Sequence, residues 1–380
     1  MVNPLPEVRP SLPASWYFDP EHYRRELQDI WYQDWVCVGR AELLSRTGDY
    51  FTARIGDQNL IVTLGPDGEL RAWHNSCRHR GSILCKDAHG RFRNGRIICP
   101  YHTWTYSLEG KLIATPGRIE TDNFDADGYS LYSIHADTWK GFVFVNLADE
   151  PTDSLDAFLG DEKACLENWP LDDMRSVHQE VYRVDCNWKL FWENYSECYH
   201  CPRLHPELCR IMPVYRKAVF KDSDLPGWEP RFDGDRGYGR VSASAETWTL
   251  DGKSALPPLP GLTEQELQDG VAFTSIPGSM FVVGHPDYAR SVRIVPSGPE
   301  TIELVVDWLL PNGLDVDPDA IERLTALGKL VISQDSAACE LNQKGLHSNR
   351  FERGVLVPQE YMLWDFHEWL RSRLGETVRI

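Results

Sequence analysis

The chain has 380 residues, with 39 basic and 57 acidic side chains, a net formal charge of −18, and 42% hydrophobic and 11% aromatic residues. This length suits two domains of roughly 100–200 residues each, and the apolar content excludes a disordered or low-complexity chain. The acidic balance argues against broad binding to nucleic acid or an anionic membrane, since either needs a basic face.

The N-terminal stretch MVNPLPEVRPSLPASW lacks the basic and apolar regions of a secretory signal. No apolar run approaches the roughly 18 residues of a membrane span. A cytoplasmic location, with no nucleic-acid or membrane partner, is the expectation. The ten cysteines then read as thiols or metal ligands rather than a disulfide framework.

In chain order, a helix is predicted from Asp19 to about Gln33, with Asp19 as cap, Pro20 in the first turn and a Tyr23, Leu27, Ile30, Trp31 stripe. From about Trp35 to Leu147, short β-rich runs such as YFTARI, NLIVTL and GFVFVNL alternate with turn signals, including Gly65-Pro66-Asp67-Gly68. This predicts a compact antiparallel β domain. The polar stretch Asp149–Asp161 reads as a connection. The second region opens with the strand-like SVHQEVYRVD and a helix from about Asn187 through His200. An irregular Gly/Pro/Asp-rich stretch follows, about Asp222 to Pro260, of the kind that forms lids or binding loops. Strand-like AFTSI, SMFVVG, SVRIVP and TIELVVDWLL come next, then a long helix starting near Asp317-Pro318.

The sharpest chemical signal is Cys77-Arg78-His79-Arg80-Gly81 followed by Cys99-Pro100-Tyr101-His102. Each loop offers one thiolate and one imidazole. Two thiolates suit one iron of a [2Fe–2S] cluster and two imidazoles the other, which is the Rieske arrangement. A Cys₂His₂ zinc site is the chemical alternative, although zinc fingers pair Cys with Cys and His with His. Cys37, Cys85, Cys165, Cys186, Cys198, Cys201, Cys209 and Cys339 read as small apolar residues. Cys85 lies near the first loop, but Tyr101 stands where a bridging partner would be, so no loop disulfide is expected.

A second constellation is His200 and His205, on either side of Pro202. Pro202 ends the predicted helix, so His200 projects from its last turn and His205 from the following loop. A facial triad for non-haem Fe(II) needs one carboxylate more. Asp335 is the candidate, because it lies within the apolar stripe of the long helix, where an unpaired carboxylate is costly. A buried salt bridge is the alternative for Asp335, and ordinary structural roles for the two histidines. Glu197 lies one helical turn before His200 and can reach its imidazole N–H. Glu193 and Asn194 are weaker candidates for supporting contacts.

With these residues in view, the chain resembles the oxygenase (alpha) component of the Rieske non-haem iron ring-hydroxylating oxygenases. CRHRGSILC, CPYHTWTYSLEGKL, NWKLFWENYSECYHCPRLHPEL and QDSAACELNQKGLHS carry the resemblance, which spans about residues 10–370. It implies an α+β fold: an N-terminal antiparallel β Rieske domain, 36–150, and a catalytic domain with a curved antiparallel sheet and helices, 1–35 and 151–380. It implies that Cys77, His79, Cys99 and His102 bind the [2Fe–2S] cluster and that His200, His205 and Asp335 bind mononuclear Fe(II). Glu197 would link His102 of a neighbouring subunit to His200, which requires a homotrimer or a multiple of three. Two departures stand out. The bridging position holds Glu197 where aromatic-ring dioxygenases typically have Asp, and Thr103 stands where many members have Gly. ECYHC followed by HPEL is similar to the branch acting on quaternary ammonium compounds such as glycine betaine, stachydrine, choline and carnitine.

The implied reaction uses O₂ and electrons from NAD(P)H, delivered by a separate flavin or iron–sulfur reductase. The chain itself shows no Gly-rich nucleotide motif after a strand and no plant-type ferredoxin cysteine run. The expected reaction is N-demethylation or hydroxylation of a betaine-like compound, mono- or dioxygenation being open. Hydroxylation of an aromatic ring or acid is the alternative. A Rieske electron carrier with an inactive second site and a zinc-stabilised binding module are the readings from other classes. Trp228, Trp248, Phe273 and Phe281, with Phe232 and Tyr238, are candidates to cage a cationic ammonium.

Overall fold

A computed structural model describes residues 4–232, 235 and 237–376 of the chain. The chain folds into two compact units, Leu27–Gly160 and the segments on either side of it. Among the described residues no helix is long and apolar enough to cross a membrane.

The Leu27–Gly160 unit is built on a seven-stranded antiparallel sheet in the order Val36–Arg40, Phe142–Asn146, Ser133–Trp139, Leu70–His74, Gln58–Leu64, Asp49–Ile55, His89–Arg91. The FVFVN strand is buried at every position, so it reads as a continuous apolar run rather than an alternating one. The Gly65–Gly68 turn joins two neighbours in this sheet. Gly68 takes φ +83° there, and Arg71 grips Asp67 with two hydrogen bonds of 2.6 and 2.7 Å. A three-stranded sheet, Arg96–Ile98, Thr105–Ser107 and Leu112–Ala114, completes the unit.

The other unit carries a five-stranded antiparallel sheet in the order Met174–Val184, Thr301–Pro311, Ala289–Gly298, Met280–Gly284, Ala272–Ile276. Its helices include Trp188–Tyr195, the short pair Cys201–Leu204 and Pro206–Ile211, the 29-residue Pro318–Leu346, and Tyr361–Arg373. The long helix starts as its sequence predicts: the Asp317 carboxylate accepts the Ala320 N–H at 2.9 Å and Pro318 occupies the first turn.

Two predicted helices differ. The early one runs Pro20–Glu26 and then widens into a single π-type turn, Leu27–Trp31, closed by Tyr32 N–H donating to the Leu27 carbonyl. The other, predicted through His200, stops at Tyr195. Ser196 caps it, and its hydroxyl turns back to donate to the Trp192 carbonyl at 2.7 Å, a local bond that competes with helix continuation. The stretch about 222–260 is irregular as expected, yet Thr247, Trp248, Thr249 and Leu259 within it are buried. Asp287 accepts hydrogen bonds from Thr247 and Ser254 at 2.5 and 2.6 Å, tying the segment to the sheet.

Candidate functional site

In the Leu27–Gly160 unit, the first candidate loop follows strand Leu70–His74 and the second joins Arg96–Ile98 to Thr105–Ser107. Asn75 shapes the first. It is buried, its amide donates to the Cys85 carbonyl at 2.7 Å, and its oxygen accepts the Leu84 and Cys85 N–H groups. Cys77 and Cys99 are buried, whereas His79 is exposed and His102 half-buried. The two imidazoles lie 4.7 Å apart between ring centres at 70°. The Tyr106 hydroxyl accepts the Arg78 N–H at 3.1 Å and faces the Cys77 sulfur at 3.3 Å, leaving its proton for the thiolate. Burial pushes the Tyr106 hydroxyl pKa upward, so it stays a donor. Cys77, Cys85 and Cys99 form no disulfide.

Two buried thiols beneath two outward imidazoles match the needs of a [2Fe–2S] cluster. One tetrahedral zinc would draw all four donors to a single point, with each ligand at about 2.0–2.3 Å from the ion. Among the described residues the three-donor group gathered that closely is instead His200, His205 and Asp335, whose ligand atoms all lie within 4.8 Å of one another.

That second group forms where the helix break leaves it. His200 stands at the N-cap of Cys201–Leu204 rather than on the last turn of the preceding helix, and His205 lies at the junction with Pro206–Ile211. Asp335 faces them from the long helix. His205 Nε2 lies 2.7 Å and His200 Nε2 3.5 Å from Asp335 Oδ1, close to the separation of about 3 Å between neighbouring ligands on one ion at 2.0–2.2 Å. Glu197 reaches His200 across a turn, not along a helix face, its Oε1 accepting from His200 Nδ1 at 2.5 Å. Gln334 Oε1 accepts from His205 Nδ1 at 2.7 Å. Both imidazoles therefore hold a proton on Nδ1 and turn Nε2 toward Asp335, the arrangement by which outer hydrogen bonds aim metal-binding histidines. Burial raises the Asp335 pKa, but while Nε2 also carries a proton, before any metal takes its place, hydrogen bonds from His200 and His205 outweigh burial and hold the carboxyl below its ordinary range. Two nitrogens and one ionised oxygen suit non-haem Fe(II).

Gln334 was not singled out from sequence, where its one mark was its place beside Asp335. Also unforeseen was the buried pair under the Trp188–Tyr195 helix. Lys189 Nζ donates to Glu26 Oε1 at 2.6 Å and the Trp188 indole to Glu26 Oε2 at 2.8 Å, with both charged side chains fully buried. Glu193 is held by Tyr17 and His367 at 2.7 and 2.9 Å and so fixes the helix rather than His200.

A cleft opens on His200, His205 and Asp335. Its aromatic walls are Tyr195, Tyr215, Phe220, Trp248 and Phe273, and Leu208, Val283 and Val331 add aliphatic surface. Of the aromatic residues expected there, Trp248 and Phe273 line it. Phe281 shares the strand face of Val283 but is fully buried, its ring 4.3 Å from those of Trp192 and Tyr195, which cover it. Phe232 and Tyr238 border a separate cleft, also touched by Phe273. Trp228 is half-buried and lines neither. Tyr195, Tyr215 and Phe220 escaped notice because only folding brings them to the cleft.

Residues 171–376 match the family described as ring hydroxylating alpha subunit (catalytic domain), and residues 34–125 match the Rieske [2Fe–2S] domain. The chain is 31% identical to the glycine betaine monooxygenase oxygenase subunit of Chromohalobacter salexigens, covering 94% of this chain and 84% of that one. It is 27% identical to the chloroplastic choline monooxygenase of Spinacia oleracea, covering 97% and 79%. Among solved structures, the quaternary ammonium Rieske monooxygenase CntA bound to an inhibitor superposes with a TM-score of 0.78 at 22% identity, covering 97% of each chain. Naphthalene 1,2-dioxygenase from Rhodococcus sp. superposes at 0.71 and 19% identity, covering 97% and 95%. These structural likenesses show the fold. Taken with the sequence matches, they identify this chain as a member of the Rieske-type non-haem iron oxygenases, an alpha subunit of the ring-hydroxylating family.

Proposed function

We propose that this oxygenase subunit oxidises an N-methyl group of a quaternary ammonium compound, releasing formaldehyde and the demethylated amine. The observation that carries this is the wall of Tyr195, Tyr215, Phe220, Trp248 and Phe273 beside the His200, His205, Asp335 group. A quaternary nitrogen has no N–H to donate, so aromatic faces are its natural partners, each worth about 0.5–2 kcal/mol. The glycine betaine and choline monooxygenase relatives support the quaternary ammonium part of this reading.

In this reading Cys77, His79, Cys99 and His102 hold the cluster, and His200, His205 and Asp335 hold the iron. When bound, these groups supply single electrons and O₂ activation. The protein's own part is to hold each imidazole by its Nδ1 proton, to orient the substrate against the rings, and to keep water from the apolar cleft. Replacing one N-methyl hydrogen by hydroxyl yields a carbinolamine, which loses a proton and breaks its C–N bond to give formaldehyde. Electrons come from a separate flavin or iron–sulfur reductase.

Glu197 and His200 also border a surface depression whose rim includes Glu193, Phe351 and Glu360. In the proposed homotrimer a neighbouring subunit presents His102 there, beside its exposed Tyr101, and Glu197 relays the electron to His200. Glu197→Gln is then expected to keep both metal sites and lose most turnover; undiminished turnover would end the relay assignment.

The function itself is tested by single turnover of the reduced, iron-loaded protein with O₂ and a panel of methylated betaines, choline and aromatic acids. Formaldehyde from a methylated ammonium compound is the expected product. Ring-hydroxylated products without formaldehyde would overturn the substrate assignment and leave the family intact.

A further inference from the structure

Arg290 is a buried cation. It sits on strand Ala289–Gly298, is 2% exposed, and lines the same cleft as His200, His205 and Asp335. Its Nη2 donates to the Tyr195 hydroxyl at 2.7 Å, and its Nε finds no acceptor. Among the described residues no carboxylate pairs with it. The acids near it in sequence or in the cleft are engaged elsewhere: Asp287 by Thr247 and Ser254, Asp335 by the two histidines, and Glu197 by His200.

The fold makes room for this guanidinium. On the long helix, a Cβ at Gly328 would lie 2.8 Å from Arg290 Nη1 and 3.1 Å from the Trp308 ring. Arg290 and Trp308 are direct cross-strand partners. A side chain there would have to displace the guanidinium or the indole. A desolvated charge is costly unless an opposite charge meets it, and a guanidinium presents a planar fork that fits a carboxylate.

We propose that Arg290 is the anchor for a substrate carboxylate, and thereby the residue that makes this cleft select zwitterionic betaines over cationic amino alcohols. The proposal rests on the quaternary-ammonium reading above and deepens it. A bare cation in the cleft meets the aromatic rings but is repelled by Arg290. A zwitterion places its carboxylate on the guanidinium and its ammonium on the rings. Arg290 acts in binding and positioning and takes no part in bond breaking.

The test uses the iron-loaded enzyme with its reductase, or photoreduced in single turnover, and compares glycine betaine, its methyl ester and choline. For the unaltered protein, glycine betaine is expected to exceed both the ester and choline in kcat/KM by at least about 100-fold, since a site built to pair a polar group rejects analogues lacking it. Arg290→Gln is expected to raise KM for glycine betaine by about tenfold or more while leaving choline unaffected or improved, and Arg290→Lys to recover part of the loss. Iron content and the visible cluster spectrum check that the variants are intact, and the ester comparison needs no variant at all. Equal use of betaine, ester and choline, or an unchanged KM in Arg290→Gln, overturns the anchor. Turnover of aromatic acids alone, with KM still dependent on Arg290, would keep the anchor and refute the quaternary-ammonium reading instead.

Discussion

Replacing Gln334 by Leu tests whether the candidate iron site depends on how its histidines are held. Gln334 Oε1 accepts the proton on His205 Nδ1 at 2.7 Å, and His205 is 1% exposed, so water has no route to replace it. Leu has similar volume and no acceptor. The orphaned N–H then costs about 1–3 kcal/mol. In the metal-free state the imidazole can rotate to find another partner, but in the loaded state Nε2 must face the metal. The cost therefore falls on metal binding. It corresponds to roughly a 5–150-fold weaker affinity, in line with the 10–100-fold typical of such outer contacts. Fe(II) titration of protein stripped of its mononuclear iron reads this directly, with Co(II) as an oxygen-stable check. The visible spectrum of the cluster is expected to stay unchanged, and Gln334→Glu, which keeps an acceptor, to retain affinity. An affinity in Gln334→Leu within about threefold of the unaltered protein would show that the contact does not orient His205.

Thr103 adopts φ +58° in the second cluster loop, a region costly for a β-branched residue. Thr103→Gly is expected to stabilise the protein by about 0.5–1 kcal/mol after the added freedom of the unfolded chain is set against the relieved strain. Thermal unfolding followed through cluster absorption reads this; destabilisation would mean that the bond from the Thr103 hydroxyl to the His102 carbonyl, 2.7 Å long, outweighs the strain. Glu26→Gln leaves Lys189 buried without its counter-charge and is expected to cost about 3–5 kcal/mol in denaturant unfolding. Burial alone raises the Glu26 pKa, but Lys189 and His22 together outweigh it and hold the carboxyl below its ordinary value. Such a group contributes stability above its unfolded pKa, near 4.3, and that contribution disappears as pH falls through the folded value. The unaltered protein should therefore lose stability on acidification below about pH 4.3 more steeply than Glu26→Gln; parallel pH profiles would contradict the assignment.

What the sequence determined by itself was the donor chemistry whose members lie close in the chain. CRHRG and CPYH each place a thiol and an imidazole two or three residues apart, and His200 and His205 flank a single Pro202. Such spacing constrains geometry before folding. Asp335 was legible for a different reason: a carboxylate inside an apolar helical stripe needs a partner wherever the helix packs. Strands such as Ala272–Ile276 and Thr301–Pro311 were equally plain, because an apolar run between turn signals is a local property. Tertiary structure decided the rest. The Ser196 hydroxyl turning back on Trp192 ended a helix that periodicity would have carried to His200. Packing put Trp248 and Phe273 on the cleft, joined them with Tyr195, Tyr215 and Phe220, and covered Phe281 with Trp192 and Tyr195. It also paired Lys189 with Glu26 and, among the described residues, gave Arg290 a tyrosine hydroxyl and no acid. A charged residue in a strand reads as solvated until its burial is known, and burial depends on contacts between segments far apart in the chain.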